Sequence, residues 1–192
     1  KRLHKKNVKE LCGKPLIDYA IQSALFSESI DRIAVSTDDA DIAKIALEYG
    51  VIVIDRPAEL AKDNTPSLPV LHHAVQYLVG MEKLALDIVV TLQVTSPLRT
   101  PEDIDEAVKQ YISTSCDSVI SGFWEGQMYL MNGAIYICSA DLLMNKSMTW
   151  GPNIVMYEMP KERSVDIDTM EDFKLAEKIL YDTGKEVKVC QT

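Results

Sequence analysis

The sequence predicts an α/β fold, a three-layer sandwich around a mostly parallel sheet. Three observations lead there. Short β-branched runs alternate with helix-length stretches that open on Thr, Asp or Pro and often close on Gly. Residues 87–94, Asp-Ile-Val-Val-Thr-Leu-Gln-Val, are almost continuously apolar, the pattern of a central parallel strand covered on both faces. At 192 residues and 47% hydrophobic, the chain 1–192 fits a single domain with a sizeable core.

Taken in order, Gly13-Lys14-Pro15-Leu16 reads as a turn into a helix, with Pro pre-set for the first helical turn. Residues 30–36 form a short strand ending at Thr37-Asp38-Asp39, whose side chains cap a helix that runs to Tyr49 and closes at Gly50. Residues 51–54 make a second strand. Asn64-Thr65-Pro66 opens a helix to about Val79, stopped by Gly80. After the 87–94 strand, Thr100 caps a helix with Pro101 at its first position, running to about Thr114. Residues 118–121, 133–137 and 154–159 read as further strands, and Thr169 caps a last amphipathic helix over 170–182. A phosphate-binding loop ordinarily follows a strand, so a strand and the first half of such a loop are expected before Lys1.

Charge narrows the function. Five of the chain's twenty Lys and Arg residues fall in its first nine positions, whereas the whole carries net charge −9. A basic clump on an acidic chain marks a local anion site. It argues against nucleic acid as a partner, because that needs an extended basic face. No apolar run approaches the roughly 20 residues that span a bilayer, no secretory signal opens the chain, and Cys12, Cys116, Cys138 and Cys190 lie too far apart for a C-x-x-C pair. A cytoplasmic protein with reduced, packed thiols and no membrane partner is the expectation.

Three segments fall where strands end, the rim at which α/β sheets hold ligands. The first is the basic loop, Lys1-Arg2-Leu3-His4-Lys5-Lys6-Asn7, suited to phosphates where it feeds a helix amino terminus. The second is Gln93-Val94-Thr95-Ser96-Pro97-Leu98-Arg99, whose polar groups, Gln93 and Arg99 among them, can pair with ligand hydroxyls; ordinary turn and cap chemistry is the alternative. The third is Val165-Asp166-Ile167-Asp168-Thr169. Extended geometry puts Asp166 and Asp168 on one face, and two converging carboxylates call for a cation such as Mg2+ on triphosphate oxygens. Capping of the following helix accounts for one of these carboxylates but not both.

In this order, K-R-L-x-x-K-N, G-K-P-L-I, S-T-D-D, R-P-A-E-L-A, T-S-P-L-R-T, N-G-A-I-Y and S-V-D-I-D-T resemble the acylneuraminate cytidylyltransferase family over nearly the whole chain. The resemblance implies a sandwich of the nucleotide-diphospho-sugar transferase type and activation of a nine-carbon acidic sugar by CTP, with Mg2+, to give a CMP-sugar and pyrophosphate. It also puts Gln93 and Arg99 on the loop that should face the acidic acceptor. It implies that Arg2, Lys6 and Asn7 bind the triphosphate, that Arg56 and Ser67 contact the cytidine, and that Gln93 meets the sugar. Asp166 and Asp168 match the metal-binding pair, and with Lys6 and Gln93 they are the expected catalytic set.

Two departures accompany it. The glycine- and serine-containing segment before K-R is missing. Only about ten residues, 122–131, separate the strand at Ser121 from Asn132-Gly133, where relatives usually carry a longer arm for sugar binding and dimerisation, so a homodimer is expected to be weakened. Leu130 also stands where many relatives have a basic residue. Rival readings are an inactive nucleotide-binding module, a D-x-D glycosyltransferase, and a phosphatase of D-x-D-x-T type. The last needs its first Asp at the tip of a buried strand, and here Lys161-Glu162-Arg163-Ser164 precede it. His72 and His73 are adjacent on a helix and diverge. Trp124, Trp150 and the methionines Met128, Met131, Met144 and Met148 read as packing.

Overall fold

The longest strand organises the main sheet. In the computed structural model, which describes residues 5–62 and 64–183, β7 (Met128–Ser139) lies between β5 (Ile88–Leu92) and β6 (Ser118–Glu125), and β8 (Ile154–Glu158) borders β6. Two of these pairings, β5–β7 and β6–β7, are antiparallel, and only β6–β8 is parallel. The class is α/β as expected, but the sheet is mixed. The cause is residues 122–131, which continue β6 and β7 into a hairpin turned at Gly126. Its register slips between Ile120 and Gly122, at a glycine whose Cβ would strike the Leu130 carbonyl.

Helix α4 (Pro101–Thr114) covers one face of this sheet through Ile104, Ala107 and Val108, which pack with Val119, Ile135 and Ile137. The other face carries α3 (Ser67–Gly80) and α5 (Ala140–Met144), where Val75, Leu142 and Leu143 enclose Cys138. Three layers result. Strand β5 corrects its sequence reading. Among the described residues it pairs with β7 alone and is half-buried throughout. Its unbroken apolar run follows from coverage on both faces: Ile88, Val90 and Leu92 meet the α4 side, and Val89 the α3–α5 side.

A second parallel pair, β3 (Ala34–Thr37) and β4 (Ile52–Asp55), packs with α2 (Ala40–Glu48) against Ile17 and Ile21 of α1 (Leu16–Leu25). The opposite side of α1, Leu16 and Tyr19, meets Phe173, Ala176 and Leu180 of α6 (Met170–Asp182). Val94 packs against both groups and so places the loop after β5 between them. The basic loop does not feed α1 directly. A small hairpin, β1 (Glu10–Leu11) and β2 (Lys14–Pro15), intervenes, and Pro15 stands just outside the helix. No helix among the described residues is long and apolar enough to cross a membrane.

Candidate active site

The three strand-end segments meet. Lys6 sits in a 3-10 turn, Lys6–Val8, and its ammonium donates to the Ile167 carbonyl and to Asp168 Oδ1, both at 2.8 Å. The pair is asymmetric in exposure, with the Lys6 side chain 20% and the Asp168 side chain 61% accessible. Among the described residues, the cation paired with Asp168 thus belongs to a loop 162 residues upstream. Lys5 reaches the other way, to Asp41 Oδ2 at 3.3 Å in the first turn of α2. Arg2 lies outside the described residues, and Asn7 is half-buried beside Lys6 in the same turn.

Asp166 and Asp168 both face solvent while Ile167 between them is fully buried, the alternation expected of extended backbone. Two hydrogen bonds fix this stretch from opposite sides: Ile167 N–H to the Thr95 carbonyl at 2.8 Å, and Lys6 to the Ile167 carbonyl. Although Asp166 keeps contact with water, crowding by protein pushes its carboxyl pKa upward and the Asp168 charge adds to the rise, while a Thr95 hydrogen bond and Lys6 oppose it. Asp166 in turn adds to the upward shift of Tyr136, which burial dominates. Tyr136 stacks on Trp150 with ring centroids 6.3 Å apart.

No group of three or more His, Cys, Asp or Glu side chains among the described residues is placed to hold a metal by itself. Two coupled carboxylates fit Mg2+ of the kind that keeps waters and takes its remaining oxygens from phosphates. The repulsion between them, which adds to the burial-driven rise of the Asp166 pKa, is what a bound cation would offset.

Gln93 follows β5 directly. It lies over Gly133, which has φ +73° and whose Cβ would stand 2.8 Å from Gln93 Oε1. Glycine therefore meets two demands there, the left-handed backbone and the room for the glutamine. Arg56 extends from the end of β4, donating to the Ser36 carbonyl and, at 3.2 Å, to the Ser36 hydroxyl. Burial lowers its pKa, with Asp38 opposing. Ser67 is exposed at the first turn of α3, and the helix has no side-chain cap there.

Arg99 is a correction. It is 4% exposed, and its guanidinium donates to the carbonyls of Ala134 at 2.7 Å and Gln93 at 3.3 Å and to the Ser23 hydroxyl. Burial brings its pKa down to about 10 against the pull of Asp103, so it is a cation at neutral pH. Its donors are taken up inside the protein by these carbonyls and the Ser23 hydroxyl, so it braces the Gln93 loop and does not present charge to an acceptor. The sequence showed a strand-end arginine but not its inward turn onto the Ala134 and Gln93 carbonyls.

Sequence reasoning passed over Thr95, Tyr136 and Asn132. Asn132, 4% exposed, accepts from Ser121 Oγ and Ala134 N–H and donates to Ser164 Oγ at 2.9 Å. The only sequence signal for it was its place in N-G-A-I-Y. His72 and His73 lie on α3 and join no metal cluster among the described residues; Cys12, Cys116 and Cys138 are free thiols. The residues before Asp166 form a 3-10 turn, Lys161–Arg163, and no strand, which removes the support for a strand-tip aspartyl nucleophile.

A cytidylyltransferase family model matches residues 1–140. The chain belongs to the cytidylyltransferase family. Among curated relatives, CMP-N,N'-diacetyllegionaminic acid synthase of Legionella pneumophila is 34% identical, over 94% of this chain and 91% of that one. The N-acylneuraminate cytidylyltransferase of Escherichia coli O18:K1:H7 is 32% identical over 92% of this chain but only 48% of its own length. Among solved structures, a CMP:2-keto-3-deoxy-manno-octonic acid synthetase complexed with CTP superposes with TM-score 0.71 at 17% identity, covering 95% of this chain and 94% of that one. At that identity the likeness establishes the fold. In this chain the hydrogen bonds of Lys6 to the Ile167 carbonyl and Asp168, and of the Ile167 N–H to Thr95, bring the basic loop, the Gln93 loop and the D-I-D segment together.

Proposed function

We propose that this chain transfers CMP from CTP to a nine-carbon acidic 2-keto sugar, releasing pyrophosphate. The observation that carries the reading is Lys6, which joins the basic loop to the carboxylate pair through the Ile167 carbonyl and Asp168. A triphosphate held by Lys6, Asn7 and Arg2 would then lie against Asp166 and Asp168. Arg56 and Ser67, on the ends of β4 and α3, are assigned to the cytidine, and Gln93 to the sugar. The relatives named for legionaminic, pseudaminic and N-acylneuraminic acids support this class of acceptor.

The anomeric hydroxyl attacks the α-phosphorus and loses its proton to solvent, the bond from that phosphorus to the α–β bridging oxygen breaks, and pyrophosphate leaves. Asp166 and Asp168 would hold Mg2+, which when bound would supply charge neutralisation for the triphosphate. Lys6 stabilises negative charge on the departing phosphates; when CTP arrives it exchanges part of its contact with Asp168 for phosphate oxygens. Gln93, seated over Gly133, orients the acceptor through its amide. Positioning and electrostatics carry the rate, since this transfer asks little covalent work of the protein. With Arg99 turned inward and leucine at position 130, the acceptor carboxylate meets amide donors in place of arginine, and discrimination among N-acyl substituents is loose.

Exposed Trp124, Met128, Leu130 and Met131 on the β6–β7 hairpin support a homodimer contact. Light scattering across a dilution series tests it, and a monomer at every concentration removes it. For the reaction, pyrophosphate release is measured with CTP and sialic, legionaminic or pseudaminic acid, with and without magnesium. Release that needs both acceptor and magnesium is the expected result. Release from CTP without any acceptor would replace transfer by hydrolysis.

A further inference from the structure

The segment that carries Asp166 and Asp168 is bound at its upstream end by an ion pair that the reaction scheme does not use. Arg163, three residues before Asp166, donates to Asp103 through Nε at 3.2 Å and Nη2 at 2.5 Å. Asp103 is 2% exposed, in the first turn of α4. It also accepts the Thr100 N–H at 2.9 Å as half of a capping box and the Tyr157 hydroxyl at 3.1 Å. One buried carboxylate therefore ties together the start of α4, strand β8 and the approach to the metal-side carboxylates.

Hydrogen-bond satisfaction of Asp103 does not require Arg163. Each Asp103 oxygen keeps another donor, Tyr157 on Oδ1 and Thr100 on Oδ2. Its charge has a second cation too, since Arg99 interacts with it electrostatically. What the Arg163 contact alone supplies is a two-atom grip, a geometry that fixes direction as well as distance. The grip acts on a short extended stretch. Ser164 beside it is held by Asn132, and Ile167 by Thr95, the latter on the loop that leads from Gln93 into α4. Both ends of the Gln93 loop are thus connected to the carboxylate segment, at Thr95 and, through α4, at Asp103.

We infer that Arg163 is a positioning residue for cytidylyl transfer, holding Asp166 and Asp168 in register with Gln93 by gripping Asp103. The inference rests on the proposed reaction for its kinetic consequences but not for the tether itself. Groups that orient ligating carboxylates commonly cost 10- to 100-fold in activity or metal affinity when removed.

The test compares Arg163→Gln, Arg163→Lys and, as a control that spares the grip, Tyr157→Phe. Amide hydrogen exchange is followed at Ile167 in protein free of metal and nucleotide, with Ile137 in the β7 ladder as internal reference. Arg163→Gln should speed exchange at Ile167 and leave Ile137 unchanged, and Tyr157→Phe should alter neither. In pyrophosphate release, Arg163→Gln should lower kcat and raise half-saturating magnesium by ~10-fold or more, with KM for CTP within about twofold. Arg163→Lys, which keeps the charge and loses the fork, should recover part of kcat; it also serves if Arg163→Gln fails to fold. Unchanged Ile167 exchange in both Arg163 variants, or unchanged magnesium dependence beside a lowered melting temperature, would overturn the assignment. A wild-type protein that releases no pyrophosphate would instead sink the proposed reaction, and the exchange experiment would still decide the tether.

Discussion

Helices α4 and α6 begin with the same device and put it to different uses. Each opens on threonine with aspartate three residues later, Thr100 with Asp103 and Thr169 with Asp172, and each forms a complete capping box. Asp172 is half-exposed and spends itself locally, accepting from the Thr169 N–H and hydroxyl and the Asp168 N–H. Asp103 is buried and takes on Arg163 and Tyr157 from elsewhere in the chain. The cap is a property of four residues. Its tertiary burden depends on which surface the helix start faces, and that decides whether the aspartate is only a local cap or also a tie between segments.

The largest expected effect separates the two caps. Asp103→Ala leaves Arg163 and Arg99 without a buried counter-charge and should cost about 3 kcal/mol or more, whereas Asp172→Ala loses a cap worth about 1 kcal/mol. Urea titrations of the two variants check this, and equal losses would erase the distinction.

Next in size is chemistry at the segment between the caps. Asp168→Asn should lower kcat by roughly 100-fold and change KM for CTP little, if the charge mainly serves the transition state. Full activity of the Asp166→Asn, Asp168→Asn double variant in magnesium would remove both residues from the mechanism.

On the other side of the α4 start, Gln93→Ala should raise the sugar KM and lower kcat several-fold while leaving KM for CTP almost unchanged. A change in KM for CTP alone would move Gln93 to the nucleotide side.

The smallest effect is one of sign. Crowding and Asp168 hold the Asp166 pKa above its ordinary value, so ionising it opposes folding. The destabilisation is absent below the unfolded-state pKa and grows as pH rises through the folded one. Asp172 is the reverse: despite the upward push of burial, hydrogen bonds from Thr169 and Asp168 hold it low, and its stabilisation is lost as pH falls through its folded pKa. In metal-free protein at neutral pH, Asp166→Asn should raise the melting temperature slightly and Asp172→Asn lower it. Both differences should shrink toward the acid end of the carboxylate range.

The same contrast explains what the sequence disclosed. The helix starts at Thr100 and Thr169 and their ends near Thr114 and Asp182 were readable because caps and periodicity are local. The paired faces of Asp166 and Asp168 were readable from extended geometry, and the family motifs named Lys6 and Gln93 as site residues. Strand sense was not readable, because the 122–131 hairpin depends on β6 and β7 pairing across a turn. Arg99 and Arg163 were equally opaque. An arginine beside a strand end looks the same in sequence whether it turns to solvent or spends its donors on Ala134 and Gln93 carbonyls.

Cytidylyl transfer is tested most directly by acceptor-dependent pyrophosphate release. Wild type and Asp168→Asn are assayed side by side with CTP, magnesium and a panel of nine-carbon acidic 2-keto sugars. Release by the wild type should require an acidic sugar and fall roughly 100-fold in Asp168→Asn. Release by the wild type that ignores the sugar, or an Asp168→Asn variant as fast as the wild type, would contradict it.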